Sequence, residues 1–69
     1  MLDEREAVVV EVSLVQIHGA PYADVTVRYP DGVVATARLG RESIPVDLMA
    51  GERVMVQAAM SVIVAVRRP

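Results

Sequence analysis

Asp24-Val25-Thr26-Val27-Arg28-Tyr29-Pro30-Asp31-Gly32-Val33-Val34-Ala35-Thr36-Ala37-Arg38-Leu39 is the stretch that decides the fold. From Asp24 to Tyr29 the side chains alternate, with Val25, Val27 and Tyr29 on one side and Asp24, Thr26 and Arg28 on the other. Period-two alternation is the mark of a half-buried strand. Pro30-Asp31-Gly32 then reads as a turn, because Pro presets φ at its start and Gly supplies a positive φ at its end. Val33, Ala35, Ala37 and Leu39 follow on one face, so residues 24–39 are predicted to form a β-hairpin.

Toward the N-terminus, residues 1–6 read as a charged, flexible lead-in and residues 7–69 as a single domain. Val8, Val10, Val12 and Leu14 fall on one face of a first strand, against Val9, Glu11 and Ser13. At Leu14–Val15 the phase changes to Val15 and Ile17, as a β-bulge would make it. Toward the C-terminus, residues 40–51 break the alternation. Ser43 is placed to cap a short helical turn carrying Ile44, Val46, Leu48 and Met49, with Pro45 limiting its length. Strand four is predicted over Glu52–Gln57, with a kink at Ala58-Ala59. Strand five then places Val62, Val64 and Val66 on one side and Ile63 and Ala65 on the other.

A long bent strand, a hairpin, a short helical connection and a final strand pair predict an all-β, five-stranded OB-type barrel, with an SH3-like barrel as the competing arrangement. With one face of each strand inside, Val9, Val15, Ile17, Val34, Met55 and Ile63 remain on outer faces or in loops. Six such residues on so small a chain predict a subunit interface, and so a homo-oligomer.

Composition narrows the function classes. The 69 residues include fifteen Val and nine Ala but no Phe, Trp or Cys. So short a chain buries only about 60% of its unfolded surface, which leaves room for one domain. No disulfide framework or thiolate metal site is available. All seven basic residues are Arg, and nine acids bring the net charge to −2. That balance lacks the positive footprint of a nucleic-acid binder. The longest uncharged run, Val54–Val66, is too short for a spanning helix of about 20 residues. Asp3, Glu4 and Glu6 stand where a secretory signal would be basic, so the expected location is cytoplasmic, without membrane insertion.

The inventory for catalysis is thin. His18 is the only histidine, none of Ser13, Ser43 and Ser61 lies in a nucleophile-elbow sequence, and no phosphate-binding Gly-rich loop is present. No enzyme activity, no catalytic residue and no metal site is expected. Oxyanion binding demands less: backbone N–H groups in a turn, a hydroxyl and a positive charge. Arg41 and Ser43 in one connection and Ser61 in another provide such groups.

Several segments resemble the TOBE/Mop family. Gly19-Ala20-Pro21-Tyr22-Ala23-Asp24-Val25 is similar to its G-A-x-x-A-x-V step. Ala35-Thr36-Ala37 with Glu42-Ser43-Ile44 resembles its T-A-x-x-x-x-x-S-[VI] segment, and Leu48-Met49-Ala50-Gly51-Glu52-Arg53-Val54 its L-x-x-G-x-x-V turn. Val56–Val64 corresponds to its last hairpin, and the likeness runs over roughly residues 8–66 in order. The resemblance implies an OB-type barrel that pairs with copies of itself and binds molybdate or tungstate, or that serves as an accessory domain of an ABC-transporter ATPase. Where the family carries S-A-R-N this chain reads Leu2-Asp3-Glu4-Arg5-Glu6, leaving Arg5 as the substitute anion contact. The family's Lys and Ser in the last hairpin fall on Ala59 and Met60.

The expected function is a non-enzymatic oxyanion-binding module for transport or storage, with Ser43, Ser61, Arg41 and Arg5 at the site and no cofactor beyond a molybdate or tungstate ligand. The expected partners are further copies of the chain and an ABC-transporter ATPase or permease. A regulatory or protein-interaction domain without an oxyanion site is the alternative, and an OB-fold nucleic-acid binder the third reading.

Overall fold

The computed structural model describes residues 2–69 and holds five antiparallel strands in one sheet. They are β1 (Leu2–Ile17), β2 (Ala20–Arg28), β3 (Val34–Gly40), β4 (Arg53–Ala59) and β5 (Val62–Arg67), ordered β3-β2-β1-β4-β5. β1 is long enough to serve two neighbours. Its first half pairs with β4, from Leu2 opposite Ala59 to Val8 opposite Arg53. Its second half pairs with β2, from Val8 opposite Arg28 to Ile17 opposite Ala20. The outer strands β3 and β5 approach each other, but no hydrogen-bonded pairing among the described residues joins them. The sheet therefore curls without closing.

The 24–39 hairpin forms as its sequence predicts. Val25 faces Ala37 and Val27 faces Ala35 across β2 and β3, while Tyr29 closes the turn by exchanging backbone hydrogen bonds with Val33 and Gly32. The Asp31 carboxylate caps this turn by accepting a bond from the Val33 N–H at 3.0 Å.

Elsewhere the structure corrects the reading. Residues 2–6, expected as a lead-in, are the first part of β1; Met1 lies outside the described residues. The charged side chains tolerate a strand because they alternate. Glu4 and Glu6 reach Arg67 and Arg53 on one face, while Arg5 on the other lies over the Tyr29 ring at 4.2 Å. The phase change in β1 also comes earlier than expected. The register slips between Val9 and Glu11, leaving Val10 as the bulged residue, where β1 passes from β4 to β2. Ala7 and Val9 thus point inward before the bulge, and Val12 packs inward after it. Val9, expected at a subunit interface, is only 1% exposed.

A second slip, between Gln57 and Ala58 of β4, has the same effect on β5. Gln57 faces Ala65 while Ala58 faces Ile63, so Val64 is the extra residue. Ile63, expected outside, packs against the core with Val66, and Val62 and Val64 are exposed. Val15, Ile17, Val34 and Met55 do not belong to the core.

The connection from β3 to β4 is less helical than predicted. A single 3₁₀ turn covers Arg41–Ser43, so Ser43 ends the turn instead of capping it, and Gly40 precedes it without a side-chain cap. Ile44 is already extended, with φ −136 and ψ 154. Pro45 dictates this, since the residue before a proline is driven out of the helical region. Asp47, at φ 60, turns the chain again and Leu48 drops into the core.

The core is built almost wholly from small side chains. Val9, Val25, Val27, Val54 and Val56 are its largest fully buried members, and no polar side chain among the described residues is buried. Among the described residues no helix is long and apolar enough to cross a membrane.

Candidate anion-binding cleft

The distribution of charge picks out one residue. Arg38 binds Asp24 through two N–H groups at 2.8 and 3.0 Å. Arg67 grips both oxygens of Glu4 at 2.7 and 3.0 Å, Arg53 binds Glu6, Arg68 binds Glu52 at 2.9 Å and Arg5 reaches Asp31 at 3.5 Å. Three of these contacts favour the charged form of their acid. Arg38 keeps the Asp24 carboxyl below its usual range; Arg67, and after it Gln57, does so for Glu4. Arg68, and after it the Met49 N–H, does the same for Glu52. All five pairs are solvent-accessible, where an ion pair contributes about 0–1 kcal/mol. Their consequence is to occupy five of the seven arginines. Among the described residues only Arg28 and Arg41 have no ion-pair partner.

Arg28 lies on the outer sheet face between Val8 and Val34. Arg41 lines a cleft of about 430 Å³ between the start of the β1–β2 hairpin and the β3–β4 connection. The hairpin register brings it there: Tyr22 pairs with Gly40, so the chain leaves β3 beside Tyr22 and the next residue is Arg41. Leu14, Pro21, Ile44, Pro45 and Val46 supply the apolar walls. Gln16, Tyr22 and Asp47 are the other polar side chains at the cleft. Leu14 shares the inward face with its partner Ala23 but lies beyond the end of the core, 84% exposed.

The four residues expected at an oxyanion site are not brought together. Arg41 and Ser43, two residues apart, line different cavities: Ser43 faces a shallow one of about 410 Å³ beside β5, with Gln57 and Arg67 on its other wall. Arg5 is engaged with Tyr29 and Asp31. Ser61 is at the tip of the β4–β5 turn and lines neither cavity. Reading single residues missed Tyr22 and Gln16 as companions of Arg41. The signal was present, since extending the 24–39 hairpin by two residues in register sets Tyr22 opposite Gly40.

His18 occupies the β1–β2 turn at φ 50, and no group of three or more His, Cys, Asp or Glu converges among the described residues. Compared with models of protein families, with curated proteins and with solved structures, the chain matches none.

Proposed function

We propose that this chain is a non-enzymatic binding module of the TOBE/Mop kind, acting in the cytoplasm, whose anion seat is the Arg41 cleft. The observation that carries this reading is the placement of Arg41. It is one of two arginines among the described residues without an acidic partner, and the one that lines a partly open cleft to which a phenol and an amide also contribute. An OB-type barrel is the architecture this reading assigns to the sheet. In its support, β3 and β5 draw near, and Ala35, Ala37 and Ile63 from those strands pack against one core. Calorimetric titration with molybdate, tungstate and sulfate tests the function. Saturable heat is expected with at least one of the three. Arg41→Gln, which removes a charge-assisted hydrogen bond, then weakens binding about ten- to a hundredfold. Flat titrations with all three, and with simple carboxylates as well, overturn the reading.

A protein-interaction module, free or attached to a transporter ATPase or permease, is the second reading. It is favoured by the apolar side chains left uncovered, among them Leu14, Val34, Met49, Met60 and Val62. Scattered exposed apolar residues are ordinary, but this many on 69 residues suit contact with another chain. Self-association through Val15, Ile17, Val34 and Met55 is its simplest form. Sedimentation velocity is expected to show an oligomer that Val34→Glu disperses; a monomer at every concentration counts against it.

A further inference from the structure

We propose that the Arg41 cleft takes a small amphipathic carboxylate, with one anionic head and an unbranched aliphatic body, in preference to a bare inorganic oxyanion. The inference rests on the reading of Arg41 as an anion anchor and names the ligand class of that same site.

Size is the first argument. A cleft of about 430 Å³ lies within the 300–1,000 Å³ typical of small-molecule sites, whereas a tetrahedral oxyanion would fill a minor part of it. Its walls are the second argument. Leu14 and Val46, 84% and 78% exposed, stand at the cleft with Ile44, Pro45 and Pro21. Among the described lining residues only Tyr22 and Gln16 offer a hydroxyl or amide group, a sparse set for solvating a compact dianion. An aliphatic chain laid along them would cover apolar surface on both partners, the main favourable term in such binding.

Charge is the third argument. Arg41 brings one positive charge to the cleft and Asp47 one negative. One further cation reaches the rim at Asp47: Arg68, whose guanidinium donates to the Asp47 carbonyl at 3.4 Å but is already committed to Glu52. A dianion would therefore meet a single free cation and a carboxylate. A monoanion is matched by Arg41 alone, and a planar carboxylate fits the fork of a guanidinium in two parallel hydrogen bonds. Tyr22 and Gln16 add hydrogen-bond donors among the residues that line the cleft.

The test is a titration of the full chain with butanoate, hexanoate and octanoate, with 1-octanol and sulfate as comparators. Affinity is expected to rise about threefold per added methylene until the cleft is filled. 1-Octanol is expected to bind at least about tenfold more weakly than octanoate. Arg41→Gln should erase the difference between acid and alcohol, and Val46→Glu, a change at an exposed position, should weaken every chain length. Affinity independent of chain length, or octanoate binding unchanged in both variants, overturns the proposal. Saturable sulfate binding that needs Arg41, with octanoate no tighter than butanoate, overturns it while leaving the anion reading in place. Silence from sulfate, molybdate and all carboxylates removes both.

Discussion

Two of the hairpin turns share one geometry and differ in chemistry. β1 and β2 are joined by His18-Gly19, at φ 50 and 79; β4 and β5 are joined by Met60-Ser61, at φ 50 and 68. Each is a two-residue connection with both residues at positive φ, the mirror-image turn whose twist suits adjoining strands and whose preferred sequence is Asn-Gly. The first turn meets that preference at its second position. The second places Met and Ser where a Cβ is disfavoured by about 1–2 kcal/mol per residue. Met60 is also 87% exposed, so no burial of its side chain offsets the conformation. One hairpin is thus specified by its turn. The other is held by its flanks, where Val56 pairs with Val66 and the Glu4 carboxylate bonds both Gln57 and Arg67.

Putting a side chain into the favourable turn is the strongest way to break this contrast. A Cβ at Gly19 would meet nothing within 4 Å, so the effect of Gly19→Val is conformational. It is expected to cost about 2 kcal/mol and to lower the melting temperature by about 8–16 °C. The converse, Ser61→Gly, should add up to about 1 kcal/mol, seen as a rise of about 4–8 °C in the same scan. If Gly19→Val melts as the wild type does, turn chemistry does not distinguish the two hairpins.

A smaller effect separates them by pH. Glu4 is held below its ordinary value of 4.5, chiefly by the hydrogen bonds from Arg67 and then by Gln57. A carboxyl depressed on folding contributes stability that is present above its unfolded value and is lost as pH falls through the folded one. Protection factors of β5 amides, which factor out the intrinsic pH dependence of exchange, should therefore fall from about pH 5 to about pH 3 more than those at the β1–β2 turn, since the Asp24–Arg38 pair of β2 ties that strand to β3 and not to β1. Glu4→Gln should flatten that difference.

The same contrast explains what the sequence disclosed. Pro30-Asp31-Gly32 and Gly19 are explicit turn residues, and the strands beside them were legible, including the inward set Val25, Val27 and Tyr29. Met60-Ser61 carries no such mark, so the sequence reads as a kink at Ala58-Ala59; Val66 faces inward as the alternation predicts, but the bulge at Val64 brings Ile63 inward and leaves Val62 and Val64 outside. Bulges were the other source of error. Val8, Val9 and Val10 are chemically alike, so hydrophobic pattern alone cannot tell which one is unpaired. The site was less legible than the fold. Arg41 was identifiable as a charge in a connection, but its solitude depends on which acids capture the other arginines, such as Glu4 and Arg67, 63 positions apart.

The division of β1 between two partners also sets an order of assembly. Its second half meets β2 across a two-residue turn, so the β1–β2–β3 meander closes only short loops. Its first half must find a strand 45 to 57 positions away, from Val8 with Arg53 to Leu2 with Ala59. Pairings of that span are entropically late and slow. Refolding is therefore expected to be paced by the docking of β4 and β5 onto the β1–β2–β3 meander, and until they dock the Ala7–Val9 segment would offer an uncovered strand edge to any neighbouring chain.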